Sequence, residues 1–127
     1  MQNEKLKIAI KNSKLDIKII KLVESLPNDR VCKIIADQLL KSATSIGANI
    51  IEAQAASSKR DFTNFLNYSL KSANETKFWL GLLRDSGKKD RRIINPLLDE
   101  TKQLSSILAS SILKLKRKNF EFAFLIY

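Results

Sequence analysis

An all-α fold, an antiparallel up-down-up-down four-helix bundle, is predicted by three features of the sequence. Apolar residues recur at intervals of three and four along most of the chain, the spacing that lines up one face of a helix. Only three glycines and two prolines punctuate the 127 residues. Alternation with a period of two, the mark of a half-buried strand, is missing until the last nine residues. A chain of this length suits one domain with one modest core. Residues 1–118 are assigned to the bundle and residues 119–127 to a short apolar C-terminal tail.

Helix one is predicted from Glu4 to Leu26, ahead of Pro27. Lys7, Lys11, Lys14, Lys18 and Lys21 step by four, three, four and three, which gathers them into one narrow stripe. The rest of the circumference is apolar in two arcs. Ile8, Leu15, Ile19, Leu22 and Leu26 form one; Leu6, Ile10, Ile17 and Ile20 form the other. A lone bundle needs one such face, so the second arc predicts burial elsewhere, most simply against another subunit.

Helix two begins after Asn28 or Asp29, either of which can cap its exposed amides. Val31, Ile35, Leu39, Ser42, Ile46, Ile50 and Ala53 follow at helical spacing, straight through Gly47. Glycine inside a helix costs about 1 kcal/mol relative to alanine. Its presence predicts that a neighbouring backbone approaches closely there.

Helix three opens at Ser58, with Asp61 three residues on as a capping-box-like pair. Phe62, Leu66, Ser69, Ala73, Thr76, Leu80 and Leu83 share one face. Phe65, Tyr68, Phe78 and Trp79 lie off it, either widening the core or forming a contact surface. Gly87 is placed as a C-terminal stop.

Helix four covers roughly residues 90 to 118, with Ile94, Leu97 or Leu98, Thr101, Leu104, Leu108, Ser111 or Ile112, and Leu115 inside. Two readings of Pro96 stand open: a first-turn proline behind an Asn95 cap, or a proline within the first turns of a longer helix. In the tail, Phe120, Phe122, Phe124 and Ile126 alternate. That predicts an extended segment docked on its own bundle or on a neighbour.

The residue inventory narrows the chemistry. There is no histidine and one cysteine, Cys32, expected to be a small buried hydrophobe. Cys/His zinc sites, Ser-His-Asp and Cys-His catalysis and Glu-x-x-His di-metal helices are thereby excluded. The expectation is a non-enzymatic protein with no metal and no cofactor. "SIGAN" lacks the glycines and the Gly-Lys-Ser/Thr ending of a phosphate loop. Asn49 and Glu52, three residues apart on one helical face, are expected to form a structural polar pair that sets helix register. No apolar run reaches the ~18 residues of a membrane span, and lysines break the N-terminus too often for a signal core. A cytoplasmic address without membrane contact is expected.

Charge gives the positive signal. A net charge of +10 favours RNA, DNA or another acidic partner. The bases form three sets. The first is the helix-one stripe. The second, around the third turn, is Arg84, Lys88, Lys89, Arg91 and Arg92; the third, late in helix four, is Lys114, Lys116, Arg117 and Lys118. In an alternating bundle the second and third sets sit at opposite ends with the stripe between. Such point charges contact phosphates without reading sequence. A solvated face, with cations near a helix C-terminus, is the competing reading.

Residues 37 to 80 carry a resemblance. Asp37-Gln38-Leu39, Ser45-Ile46 with Asn49-Ile50 and Glu52, Ser58-Lys59 with Phe62, and Ser72 with Glu75 match a set of motifs in order. On these the chain resembles the four-helix-bundle proteins of the 23S rRNA intervening-sequence (S23) family, over nearly its whole length apart from the tail. It departs from them at Ala53, where the family usually has glycine, and this favours continuation of helix two past Glu52. The mixed "NDRVCK" also replaces a more acidic turn. The resemblance implies a ring-like homopentamer with a basic surface suspected of binding nucleic acid, and no established enzymatic activity. A related branch, the accessory variability determinant proteins of diversity-generating retroelements, partners a reverse transcriptase and its RNA. A protein-interaction scaffold or adaptor is therefore the alternative to a nucleic-acid binder.

Overall fold

The computed structural model describes the backbone of residues 14–126 and the side chains of residues 14–117. Four helices follow in order: α1 (Leu15–Glu24), α2 (Arg30–Gln54), α3 (Lys59–Asp85) and α4 (Arg91–Ile126). They pack as a four-helix bundle, α1 on α2 and α4, and α3 between α2 and α4. There is no strand among the described residues. The expected first turns of helix one, with Leu6, Lys7, Ile8, Ile10 and Lys11, lie outside the described residues.

The helix starts have local causes. The carboxylate of Asp29 accepts the Cys32 N–H at 2.8 Å and opens α2. Ser58 Oγ accepts the Asp61 N–H at 3.1 Å and opens α3. Asp90 Oδ1 accepts the Arg92 N–H at 2.8 Å at the head of α4. Each satisfies an amide that the helix itself leaves without a partner. Gly87 closes α3 with a φ of 74°, a left-handed conformation. The Gly87 N–H bonds to the Arg84 carbonyl at 3.1 Å and the Lys88 N–H to the Leu83 carbonyl at 3.0 Å, the pattern of a Schellman cap.

The core follows the predicted stripes. Leu15, Ile19 and Leu22 of α1 meet Ile35, Leu39, Ile46 and Ile50 of α2, Leu66, Leu80 and Leu83 of α3, and Ile94, Leu104 and Leu108 of α4. Ala53 is buried and α2 runs on to Gln54, as the departure from glycine at that position favoured. Two buried polar contacts set the register of α2 against α3. Ser69 Oγ donates to the Ile46 carbonyl at 2.8 Å, and Thr76 Oγ1 lies 2.9 Å from Ser42 Oγ.

Several expectations are corrected. Asn49 Nδ2 donates to the Ser45 carbonyl of its own helix at 2.8 Å, and Glu52 is exposed. Among the described residues neither bonds across to another helix, because both lie off the inward row of Ile46, Ile50 and Ala53. Val31 is exposed and Cys32 takes the inward position in its place. Gly47 is only half-buried, and a Cβ built there meets nothing within 4 Å, so no described backbone crowds it. Pro96 lies inside α4, the second of the two readings. The extended tail is also overturned: α4 continues to Ile126, since no glycine or proline follows Pro96 to stop it.

Candidate nucleic-acid interface

The structure treats the three basic sets differently. Lys14, the N-cap of α1, and Lys21 within it are exposed, whereas Lys18 reaches across to Glu100 of α4 at 2.9 Å. The stripe therefore contains a cation used to hold two helices together. Ile17 and Ile20, from the second arc, are 50% and 42% exposed on the outer side of the same helix.

The third-turn set is largely committed to the fold. Lys88 pairs with Asp29 at 3.2 Å, and Lys89 donates to Ser25 Oγ at 2.9 Å. Both tie the α3–α4 turn to the α1–α2 turn. Arg84 pairs with Asp85 at 2.9 Å and donates to Asn95 at 3.2 Å, and Arg92 pairs with Asp90 at 3.0 Å. Arg84 beside Asp85 holds that carboxyl below its ordinary range, and Arg92 does the same to Asp90. Arg91 is exposed. Three carboxylates thus stand among these five bases and reduce their field on an incoming phosphate.

The α4 set is different. Lys114 and Lys116 are exposed and have no carboxylate partner among the described residues, and Arg117 is exposed beside them. The side chain of Lys118 lies outside the described residues. Because α4 continues nine residues past Arg117, these cations are not last-turn residues answering the helix dipole, whose effect fades within a turn.

Two further bases join this end. Lys77 donates to Ser105 and Arg84 to Asn95, so α3 runs antiparallel to α4. The opening residues of α3, Lys59 and Arg60, therefore lie toward the Lys114–Arg117 end, and both are exposed. Neither has a carboxylate partner among the described residues. Sequence reading missed them because they stand apart from any basic run; the alternating topology was the available signal.

This bundle, with its buried small-residue contact between α2 and α3, is matched by known proteins. The family model for the 23S rRNA-intervening sequence protein matches residues 4–110. The chain belongs to that family. A crystal structure of a protein with unknown function from the S23 ribosomal protein family, from Bacteroides thetaiotaomicron, is similar at 36% sequence identity. It covers 84% of this chain and 97% of its own, with a TM-score of 0.76. No curated protein matches the chain. Within the S23 frame, Ser42 and Ile46 of the central motif region face α3, while Asn49 and Glu52 turn outward. No helix of the described residues is long and apolar enough to cross a membrane.

Proposed function

We propose that this S23-family chain is a non-enzymatic, self-associating basic bundle, a homopentamer in its assembled form, that binds RNA or DNA through the phosphate backbone. The observation that carries the reading is the α4 end. Lys114 and Lys116 stand exposed with no carboxylate partner among the described residues, and Lys59 and Arg60 are at the same end. Such bases attract phosphate, gain by releasing counterions and need no fixed geometry, so binding is insensitive to base sequence. The α1 lysines and the net charge of +10 add to the attraction at longer range. The name of the family accords with an RNA partner and fixes no particular one.

The test is a titration of the purified protein against structured RNA and duplex DNA over a range of salt. Affinity is expected to fall steeply and linearly on logarithmic axes, with little difference between sequences. Binding that is absent at low salt, or indifferent to salt, overturns the reading.

A protein adaptor is the second reading. Ile17 and Ile20 of α1 and Tyr68 and Phe78 of α3 favour it, because they put apolar surface in water. Pull-down after nuclease treatment separates the two: a different protein retained in stoichiometric amount supports the adaptor.

A further inference from the structure

The outer groove between α2 and α3 gathers the family-matching polar residues that the core leaves out. Ser45, Asn49 and Glu52 descend α2 at intervals of four and three, half-buried or exposed. Tyr68, Ser72, Glu75 and Trp79 follow a similar rhythm on α3. The contacts of Ser69 with Ile46 and of Thr76 with Ser42 bring the two helices together beneath these rows. The groove is ordered by its own contacts. Tyr68 meets Phe65 edge-on at 6.0 Å between ring centres, and the Trp79 indole donates to Glu75 at 3.2 Å. Ser45 and Ser72, both half-buried, put small side chains at its middle.

Its charge is balanced, unlike the rest of the molecule. Glu52 and Glu75 are both exposed there, against Lys41 on the α2 side and Lys71 one turn before Glu75, on a chain of net charge +10. Carboxylates beside aromatic rings repel phosphate, so nucleic acid is a poor occupant.

The outer side of α1 has complementary chemistry. Ile17 is 50% and Ile20 42% exposed, and Lys14 and Lys21 flank Ile17 at one turn on either side. Seven residues of helix separate the two lysines by about 10 Å. From the register of Ser42 with Thr76, the two glutamates lie roughly 13 Å apart along the groove, within reach of two lysine side chains.

We propose that α1 of one copy packs into the α2–α3 groove of a second copy. Ile17 and Ile20 lie between Tyr68 and Trp79, while Lys14 and Lys21 meet Glu52 and Glu75. The inference rests on the self-association proposed above and names the two faces that meet. α1 packs on α2 and α4, away from this groove, so the two surfaces are different and the contact is heterologous. Each copy offers one of each, and copies add head to tail until a ring closes. Lys14 and Lys21 then belong to the neighbouring copy, which leaves Lys59, Arg60, Lys114 and Lys116 for phosphate.

A charge swap tests the pairing. Four full-length chains are compared by light scattering at micromolar concentration: wild type, K14E/K21E, E52K/E75K, and the variant combining all four changes. Far-UV circular dichroism and a thermal melt check that each is folded. The expected result is an assembled wild type, monomers for both pairwise variants and recovered assembly for the combination. A monomeric wild type overturns self-association and this pairing together. An assembled wild type overturns the pairing alone if either pairwise variant keeps its mass, or if the combination stays monomeric.

Discussion

Asp29 serves two partners with one carboxylate. One oxygen accepts the Cys32 N–H at 2.8 Å, and the other meets Lys88 at 3.2 Å. The backbone N–H first, and Lys88 second, hold its pKa below the ordinary 3.8. A carboxyl with a lowered folded-state pKa contributes its full stabilisation above the unfolded value and loses it as pH falls through the folded one. Asp29→Ala is therefore expected to lower the melting temperature at pH 7, with the gap to wild type closing as melts are repeated from pH 4 downward. A gap of constant size to the acid limit would assign the effect to something other than the charge. Gly47 makes a simpler case. Nothing described lies within 4 Å of a Cβ built there, so alanine adds helix propensity without a clash. Gly47→Ala is expected to stabilise the protein by about 1 kcal/mol in denaturant melts. A loss of stability would show that a neighbour needs the space.

Between elements, the decisive contact is the buried one joining α2 to α3. Thr76 Oγ1 lies 2.9 Å from Ser42 Oγ and 2.8 Å from the Ser72 carbonyl, and Ser42 Oγ lies 3.1 Å from the Leu39 carbonyl. Each hydroxyl has one proton, so the two share donors along a short chain of acceptors, with every oxygen satisfied. A cycle of Ser42→Ala, Thr76→Val and the double variant is expected to show a coupling of about 1 kcal/mol, the worth of the one bond between the helices, since each hydroxyl keeps a carbonyl of its own helix when the other is removed. Additive losses would mean that the helices are held in register by apolar packing alone. This contact was only half legible in the sequence. The stripes placed Ser42 and Thr76 on inward faces, but nothing in one chain's spacing says which two small polar residues will meet. The same spacing misled at Val31. Near a helix start, steps of three and four both fit, and the inward row passes through Cys32. Asn49 and Glu52 drew attention by residue type, yet their position off the Ile46–Ile50–Ala53 row decided their exposure. The last nine residues show a period of two, yet no glycine or proline after Pro96 ends the preceding helix, and continuity of the helix wins over the local alternation.

For the molecule as a whole, the question is how a surplus of ten positive charges is distributed. Cations that hold elements together are poorly available to a ligand. Lys18 is engaged with Glu100, Lys88 with Asp29 and Lys89 with Ser25, and displacing them loosens the bundle. Cations without such work carry the field into solvent at little structural cost. Lys59, Arg60, Lys114 and Lys116 are of this second kind, and they come from two helices whose opposite directions bring them to one end. The legibility of this site follows from its physics: charge runs show in a sequence, whereas the partners that neutralise them and the ends that helices share show only after folding. Changing these four residues to glutamine is expected to leave stability nearly unchanged, since exposed substitutions usually shift it by less than about 0.5 kcal/mol each. The same variant is expected to reduce the slope of log affinity against log salt by up to about 3, because each phosphate neutralised by a cation adds roughly 0.7 to 0.9 to it. Neutralising Lys88 and Lys89 should do the reverse, lowering the melting temperature with a smaller change in slope. Equal slopes for the four-residue variant and the wild type would move the nucleic-acid surface away from the α3–α4 end.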